Sequence, residues 1–366
     1  MLHWRRMDAP PTDLFLSLTP ERVLAAVEAG GLACNPVCYP LNSFENRVYE
    51  VELADRSRVV AKFYRPGRWS EEQILEEHGF LAELDAEEIP VATVRPFPEA
   101  SGGGTLRRIE GIYYSLSDRK GGRAPDELDD LAVRRLGMLV GRLHNVGARR
   151  PAPSRLRLDA DTYVRESVAW LEDHGAVPRG LADRYFGAAL ALADLADRML
   201  EGAATLRLHG DLHLGNVLFR DGLLRVLDFD DMVTGPAVQD LWLALPGRDK
   251  ETLRQREVFV EGYEQFRLFD RAELRLIEAL RGLRVVHYAA WLARRWHDPA
   301  FPAAWPHFGT PEYWERETSD LEEQLAIVRG EAAPRSAGGP AGDDDGGARE
   351  EEPTLTNKDF FWDWES

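Results

Sequence analysis

A chain of 366 residues can bury a sizeable core as one large domain or two, without disulfide or metal staples. Its 45 Lys and Arg against 63 Asp and Glu leave a formal net charge of -18, which excludes nucleic acid or an anionic membrane as the main partner. A negatively charged small ligand fits this balance only where donors are locally concentrated or a metal ion intervenes.

The N-terminal "MLHWRRMDAPPTDLF" has early arginines but lacks the uninterrupted apolar run of a signal peptide. No later segment approaches the ~20 apolar residues that span a bilayer. A cytoplasmic monomer with no membrane partner is therefore expected. The two cysteines, Cys34 and Cys38, have no second pair for a four-thiolate zinc site, and they read as reduced thiols. Lysine is scarce: Lys62, Lys120, Lys250 and Lys358 are the only four, so a lysine inside an apolar strand stands out.

"LTPERVLAAVEAGG" predicts a short helix, with Thr19 as N-cap, Pro20 at its first position and glycine at its stop. "NRVYEVELADRSRVVAKFYRP" then reads as a hairpin turning at 54–57. "SEEQILEEHGFLAEL" is an amphipathic helix opened by serine and acids. "PVATVRPF" and "TLRRIEGIYYSLS" add strands to the same sheet. Beyond "DRKGGRAPDEL" the pattern is helical. "LDDLAVRRLGMLVGRLHNVG", "DTYVRESVAWLEDHG" and "GLADRYFGAALALADLADRMLEG" are each ended by glycine, and further helices are predicted over 237–246, 251–268, 272–296 and 311–329. One hairpin, "NVLFRDGLLRVLDF", interrupts them with Asp221-Gly222 as its two-residue turn. The segment after 330 has too few apolar groups to offset ordering at ~1–2 kcal/mol per residue, so disorder is expected there, with Phe360, Phe361, Trp362 and Trp364 at its end.

The chemistry concentrates in "LHGDLHLGNVLF", residues 208–219, followed by "LRVLDFDD". A metal nest needs further histidine segments that this chain lacks. Phosphoryl transfer asks for less: a carboxylate to take the proton of the attacking hydroxyl and oxygen ligands for Mg2+ on the nucleotide phosphates. Asp211 suits the first role. Asn216 and Asp228, at the two ends of the hairpin, suit the second, since Mg2+ normally keeps waters and takes few protein oxygens. Asp230 is divided evenly between assisting them and capping a turn. His209 and His213 read as loop braces, and Asp240 as a buried loop anchor. Lys62, in "VVAKFY", is costly to bury unpaired, and the following helix offers Glu76 and Glu77.

"HGDLHLGN" followed by "LDFDD" resembles the catalytic loop and metal motif of the aminoglycoside phosphotransferase and choline kinase superfamily. With "PLNSFENRVYEVE", "VVAKFYRPGRWSEEQILEEH", "GPAVQDLW" and "YAAWLARRWHDPAFP", the likeness narrows to the bacterial serine/threonine kinases of stress response and spans roughly residues 15–328. The resemblance implies an α+β, bilobal protein-kinase-like fold, with a small β-rich N-lobe over 1–116 and a larger helical C-lobe over 117–329. An acidic tail over 330–366 lies outside it. It implies Mg2+ as cofactor, ATP as co-substrate, and Ser or Thr of proteins, the kinase itself included, as acceptor. Asp211 would be the proton acceptor, with Asp228 also counted as catalytic. Asn216 and Asp228 would hold the metal, Lys62 with Glu77 the phosphates, and Ser43 the nucleotide. Leu116 and its neighbours would form a hinge over 116–121 meeting adenine through backbone groups. "LNSFEN" has no glycine to cradle phosphates, so Ser43 and Asn46 side chains would substitute. No D-F-G, A-P-E or long activation loop is present. Two alternatives stay open: a small-molecule hydroxyl kinase acting on an amino alcohol or aminoglycoside-like acceptor, and a catalytically silent nucleotide-binding regulator.

Overall fold

The structure, a computed structural model, describes residues 15–41 and 43–334. The expectations for the N-terminal leader and for 335–366, including its four aromatic residues, lie outside the described residues. Two compact units emerge. The first gathers the described residues up to Arg123 with Ala152–Arg155 and Leu218–Asp230; the second holds Ala124–Pro151, Leu156–Val217 and the described residues from Asp231 onward.

In the first unit, α1 (Pro20–Ala29) buries Val23, Ala26 and Val27 and stops at Gly30. Strands β1 (Cys34–Leu41), β2 (Arg47–Leu53) and β3 (Arg58–Phe63) follow, then α2 (Glu71–Ala86), β4 (Val94–Arg95), β5 (Arg107–Ile109) and β6 (Ile112–Asp118). They form one antiparallel sheet in the order β1-β2-β3-β6-β4, with β5 on β6. Alternation along β3 turns Val59, Ala61 and Phe63 into the cluster that also holds Val23, Val51 and Tyr114, and leaves Lys62 on the opposite face. Burial of each large apolar side chain in this cluster stabilises the unit by about 1.5–3 kcal/mol. α2 opens with a reciprocal cap, Ser70 Oγ accepting from Gln73 N while Gln73 Oε1 accepts from Ser70 N. Cys34 and Cys38 are free thiols on β1, and burial pushes Cys34 up to about 11.

The hairpin of Val217–Arg220 and Leu223–Val226 turns at Asp221 and Gly222, whose φ values of 52 and 77 are those a type I′ turn needs. Although it interrupts helices in the sequence, from Leu218 it groups with the sheet unit. Val226 pairs with Val91, Phe219 exchanges backbone hydrogen bonds with Arg123, and Phe229 packs edge-on to Phe80 with ring centroids 5.9 Å apart. Burial of Leu224, Val226 and Phe229 is what holds it there.

The second unit is helical: α3 (Asp130–Gly147), α4 (Glu166–Asp173), α5 (Arg179–Leu200), α6 (Val238–Ala244), α7 (Lys250–Tyr263), α8 (Ile277–Arg295) and α9 (Pro311–Arg329). α3 and α7 pack almost backbone to backbone, since a Cβ on Gly137 would fall 2.1 Å from the Phe259 carbonyl oxygen. Before α4, Asp161–Arg165 form a π-helical turn. Two short strands, Leu206–Leu208 and Val233–Gly235, pair antiparallel and frame the loop between them. Among the described residues no helix is long and apolar enough to cross a membrane.

Candidate active site

The sequence-selected residues fall into two groups, one in each unit. In the sheet unit, β3 and the segment after the hairpin bring Lys62 to Asp228. Lys62 Nζ stands 2.8 Å from Asp228 Oδ1, 3.0 Å from Asp230 Oδ1 and 3.9 Å from Glu77 Oε1. Burial alone would lower the Lys62 pKa, but Asp228, Asp230 and Glu77 outweigh it and hold the ammonium charged. Glu76 turns elsewhere, accepting from the amides of Ser154 and Arg155 at 2.9 and 3.0 Å, so Glu77 is the helix carboxylate beside the lysine.

Asp228 and Asp230 lie two residues apart yet differ in kind. Asp228 is 49% exposed in its side chain and sits at φ 53, a left-handed conformation that few non-glycine residues adopt. Asp230 is 3% exposed and is tied down by Lys62 and by Arg68 Nη1 at 2.5 Å, while Arg155 donates to its backbone carbonyl. Burial pushes its carboxyl up, and Lys62 and Arg68 overcome that to hold it below the usual range. Asp230 is therefore an anchor for cations, and Asp228 is the carboxylate open to a ligand.

Ser43 sits in a turn, its Oγ accepting from Asn46 N at 3.3 Å. Asn46 is buried and its Oδ1 accepts from Arg65 N at 3.2 Å, which makes it a brace of that turn. Leu116 is buried inside β6, in register with Ala61 and Arg95; the chain leaves the β6 ladder only after Asp118.

In the helical unit, the 208–216 loop is built from the inside. Asp240, on α6, accepts from His209 N at 3.0 Å and Gly210 N at 2.9 Å, and its Oδ2 also meets His144 Nε2 at 2.9 Å. His144 in turn reaches the Tyr263 hydroxyl at 3.0 Å. Asp240 is thus the loop anchor that its sequence position suggests. His209 is buried and braces the turn, Nδ1 accepting from Asp211 N at 3.2 Å. Gly210 has φ +86, and a Cβ there would lie 2.2 Å from the Asp231 carbonyl oxygen, so only glycine fits.

This frame presents Asp211. Its backbone carbonyl accepts from Asn216 Nδ2 at 2.9 Å, and its Oδ1 accepts from Arg284 Nη2 at 2.5 Å; His213 Nε2 lies 3.6 Å from Oδ2. Burial raises the carboxyl, but Arg284, His213 and His209 together hold it well below the ordinary carboxylate range. At neutral pH Asp211 is an ionised acceptor. Because Asn216 spends its amide nitrogen on Asp211, its Oδ1 is the end left for a cation.

Residues 38–277 match the phosphotransferase enzyme family. Stress response kinase A of Salmonella paratyphi A is 42% identical over 317 residues, covering 86% of this chain and 94% of that protein. Serine/threonine protein kinase RdoA of Salmonella typhimurium is 42% identical over the same shares of both chains. The chain belongs to the stress response kinase A family of phosphotransferases. Among solved structures, an amicoumacin kinase bound to AMP-PNP, Ca2+ and amicoumacin shares the fold, with TM-score 0.63 and 21% identity over 85% of this chain and 96% of that one.

As a phosphotransferase of this family, the chain is an ATP-dependent kinase with a bilobal α+β fold. Among the described residues no group of three or more His, Cys, Asp or Glu is placed to hold a metal by itself. An amide oxygen at Asn216 and the open carboxylate of Asp228 are hard oxygen donors, the kind that suits Mg2+ carried on nucleotide phosphates. Sequence reasoning missed Arg284, Arg68 and His144. Each acts on a residue far away in the chain and leaves no local pattern.

Proposed function

We propose that this kinase transfers the γ-phosphate of ATP to serine or threonine hydroxyls of proteins, in a bacterial stress response. The observation that carries this reading is 42% identity across nearly the whole length of relatives bearing those names. In the proposed step the acceptor oxygen attacks the γ-phosphorus, its proton passes to Asp211, and the bond to the β-phosphate oxygen breaks to release ADP. Support for Asp211 comes from its fixed, ionised carboxylate. Lys62 is assigned to the nucleotide phosphates, with Glu77 and Asp230 positioning it. Asn216 and Asp228 would hold Mg2+, which when bound neutralises charge on the phosphates. Ser43 is assigned to the nucleotide, and the backbone around Leu116 to adenine.

The test is incubation of wild type and Asp211→Asn with labelled ATP, a generic protein substrate and a panel of amino alcohols. Label on protein is expected for wild type, with Asp211→Asn slower by about 10²–10⁴ at near-unchanged ATP affinity. Rapid turnover of one amino alcohol without protein labelling would reverse the choice of acceptor. Full activity in Asp211→Asn would remove that residue from the chemistry.

A further inference from the structure

α8 buries Ile277, Leu280, Leu283, Val286, Ala289 and Ala290 in the helical unit, yet it also places a guanidinium, that of Arg284, largely out of water. A buried ion pair is weak as a device for stability, since its desolvation cost often equals or exceeds its attraction and apolar replacements are commonly tolerated. A charge maintained in that position calls for another reason, and the reason lies at its end. Arg284 Nη2 grips one oxygen of Asp211, Oδ1, at 2.5 Å in a charge-assisted hydrogen bond. The other oxygen, Oδ2, has His213 Nε2 at 3.6 Å, beyond a strong hydrogen bond.

Three residues further along the same helix, His287 packs against Tyr163 with ring centroids 4.5 Å apart and the ring planes tilted by 34°. Tyr163 belongs to the π-helical turn at Asp161–Arg165, an irregularity that recurs at functional positions.

Resting on the assignment of Asp211 as proton acceptor, we propose that Arg284 is the positioning residue of the transfer step: it locks the Asp211 carboxylate by Oδ1, so that Oδ2 is the oxygen offered to the acceptor hydroxyl. Arg284 does not touch the reacting atoms. It fixes the rotation of a carboxylate that would otherwise present either oxygen, and angular error of this kind is expensive in rate.

A double-mutant cycle decides the matter. Arg284→Met and Arg284→Gln are made in wild-type and Asp211→Asn full-length chains, and kcat, KM for ATP and calorimetric ATP binding are measured for each. Arg284→Met is expected to lower kcat by about 10²-fold with KM for ATP and ATP binding unchanged, and to have no further effect once Asp211 is asparagine. Arg284→Gln, which keeps a polar donor on a shorter stem, should fall between wild type and Arg284→Met and serves if the methionine variant folds poorly. Added guanidinium ion should restore part of the Arg284→Met rate. Wild-type kcat in both arginine variants overturns the proposal. So does an equal fold-loss in the wild-type and Asp211→Asn backgrounds, which is the mark of a role independent of Asp211. Should Asp211→Asn alone keep full activity, the role of Asp211 under the proposed function fails instead, and the two failures are told apart by that single variant.

Discussion

Glu77 is the least comfortable carboxylate in the sheet unit. Burial pushes it up to about 7, Lys62 at 3.9 Å offsetting only part of that cost. Raised above its unfolded value, it binds a proton in the folded chain between about pH 4.5 and 7 that the unfolded chain has released, so its contribution is fully present below that window and is lost as pH rises through 7. Glu77→Gln, permanently neutral, should flatten this decline. Urea titrations at pH 5 and pH 8 are expected to show wild type losing stability at the higher pH relative to Glu77→Gln, and an identical pH trend in both would contradict the assignment. Beside it, Asp230 is as buried but better paired, which is why the nearer anchor of Lys62 is Asp230. That distinction was not legible in the sequence, where only Glu76 and Glu77 were offered to Lys62 and Asp230 read as a metal-site assistant or a turn cap.

At the scale of elements, the 208–216 loop is a short irregular segment held by regular ones: Asp240 of α6 and His144 of α3 tie it down, and Gly210 lets it pass the Asp231 backbone. Gly210→Ala combines a disfavoured φ with a clash against backbone, which cannot rotate away. Displacement of the loop by even ~1 Å should reduce kcat about 10²-fold while ATP binding persists, as steady-state rates beside calorimetry would show. The loop spacing from Asp211 to Asn216 was legible because it is local, and so was the return to Asp228, because Asp221-Gly222 dictates a tight turn. Strands β2, β3 and β6 and the reciprocal cap of α2 were legible for the same reason, whereas β1, over Cys34–Leu41, was not read, and Thr19 precedes α1 without a side-chain cap bond. The 73-residue separation of Arg284 from Asp211 was not, in a chain where 45 basic residues less four lysines leave 41 arginines to choose among. Leu116 falls in a stretch that reads as a strand, but its pairing with both β3 and β4 depends on partners remote in the chain.

For the molecule as a whole, ligand binding and folding are linked. Any nucleotide that binds the folded chain alone raises its stability, by about 2.7 kcal/mol at a hundred times its dissociation constant. Mg2+ with ATP should therefore raise the melting temperature more than ATP with chelator, and Asp228→Ala should abolish most of that difference. Equal shifts with and without the metal in wild type would count against Asp228 and Asn216 as its ligands. Scarcity of lysine, finally, makes the protein convenient to interrogate. An ATP analogue with an acylating tail meets very few competing amines, and modification at Lys62 blocks tryptic cleavage between Arg58 and Arg68, where Arg65 is already shielded by Pro66. One fused peptide in a digest would then report how much of the enzyme carries nucleotide, even in a crude lysate.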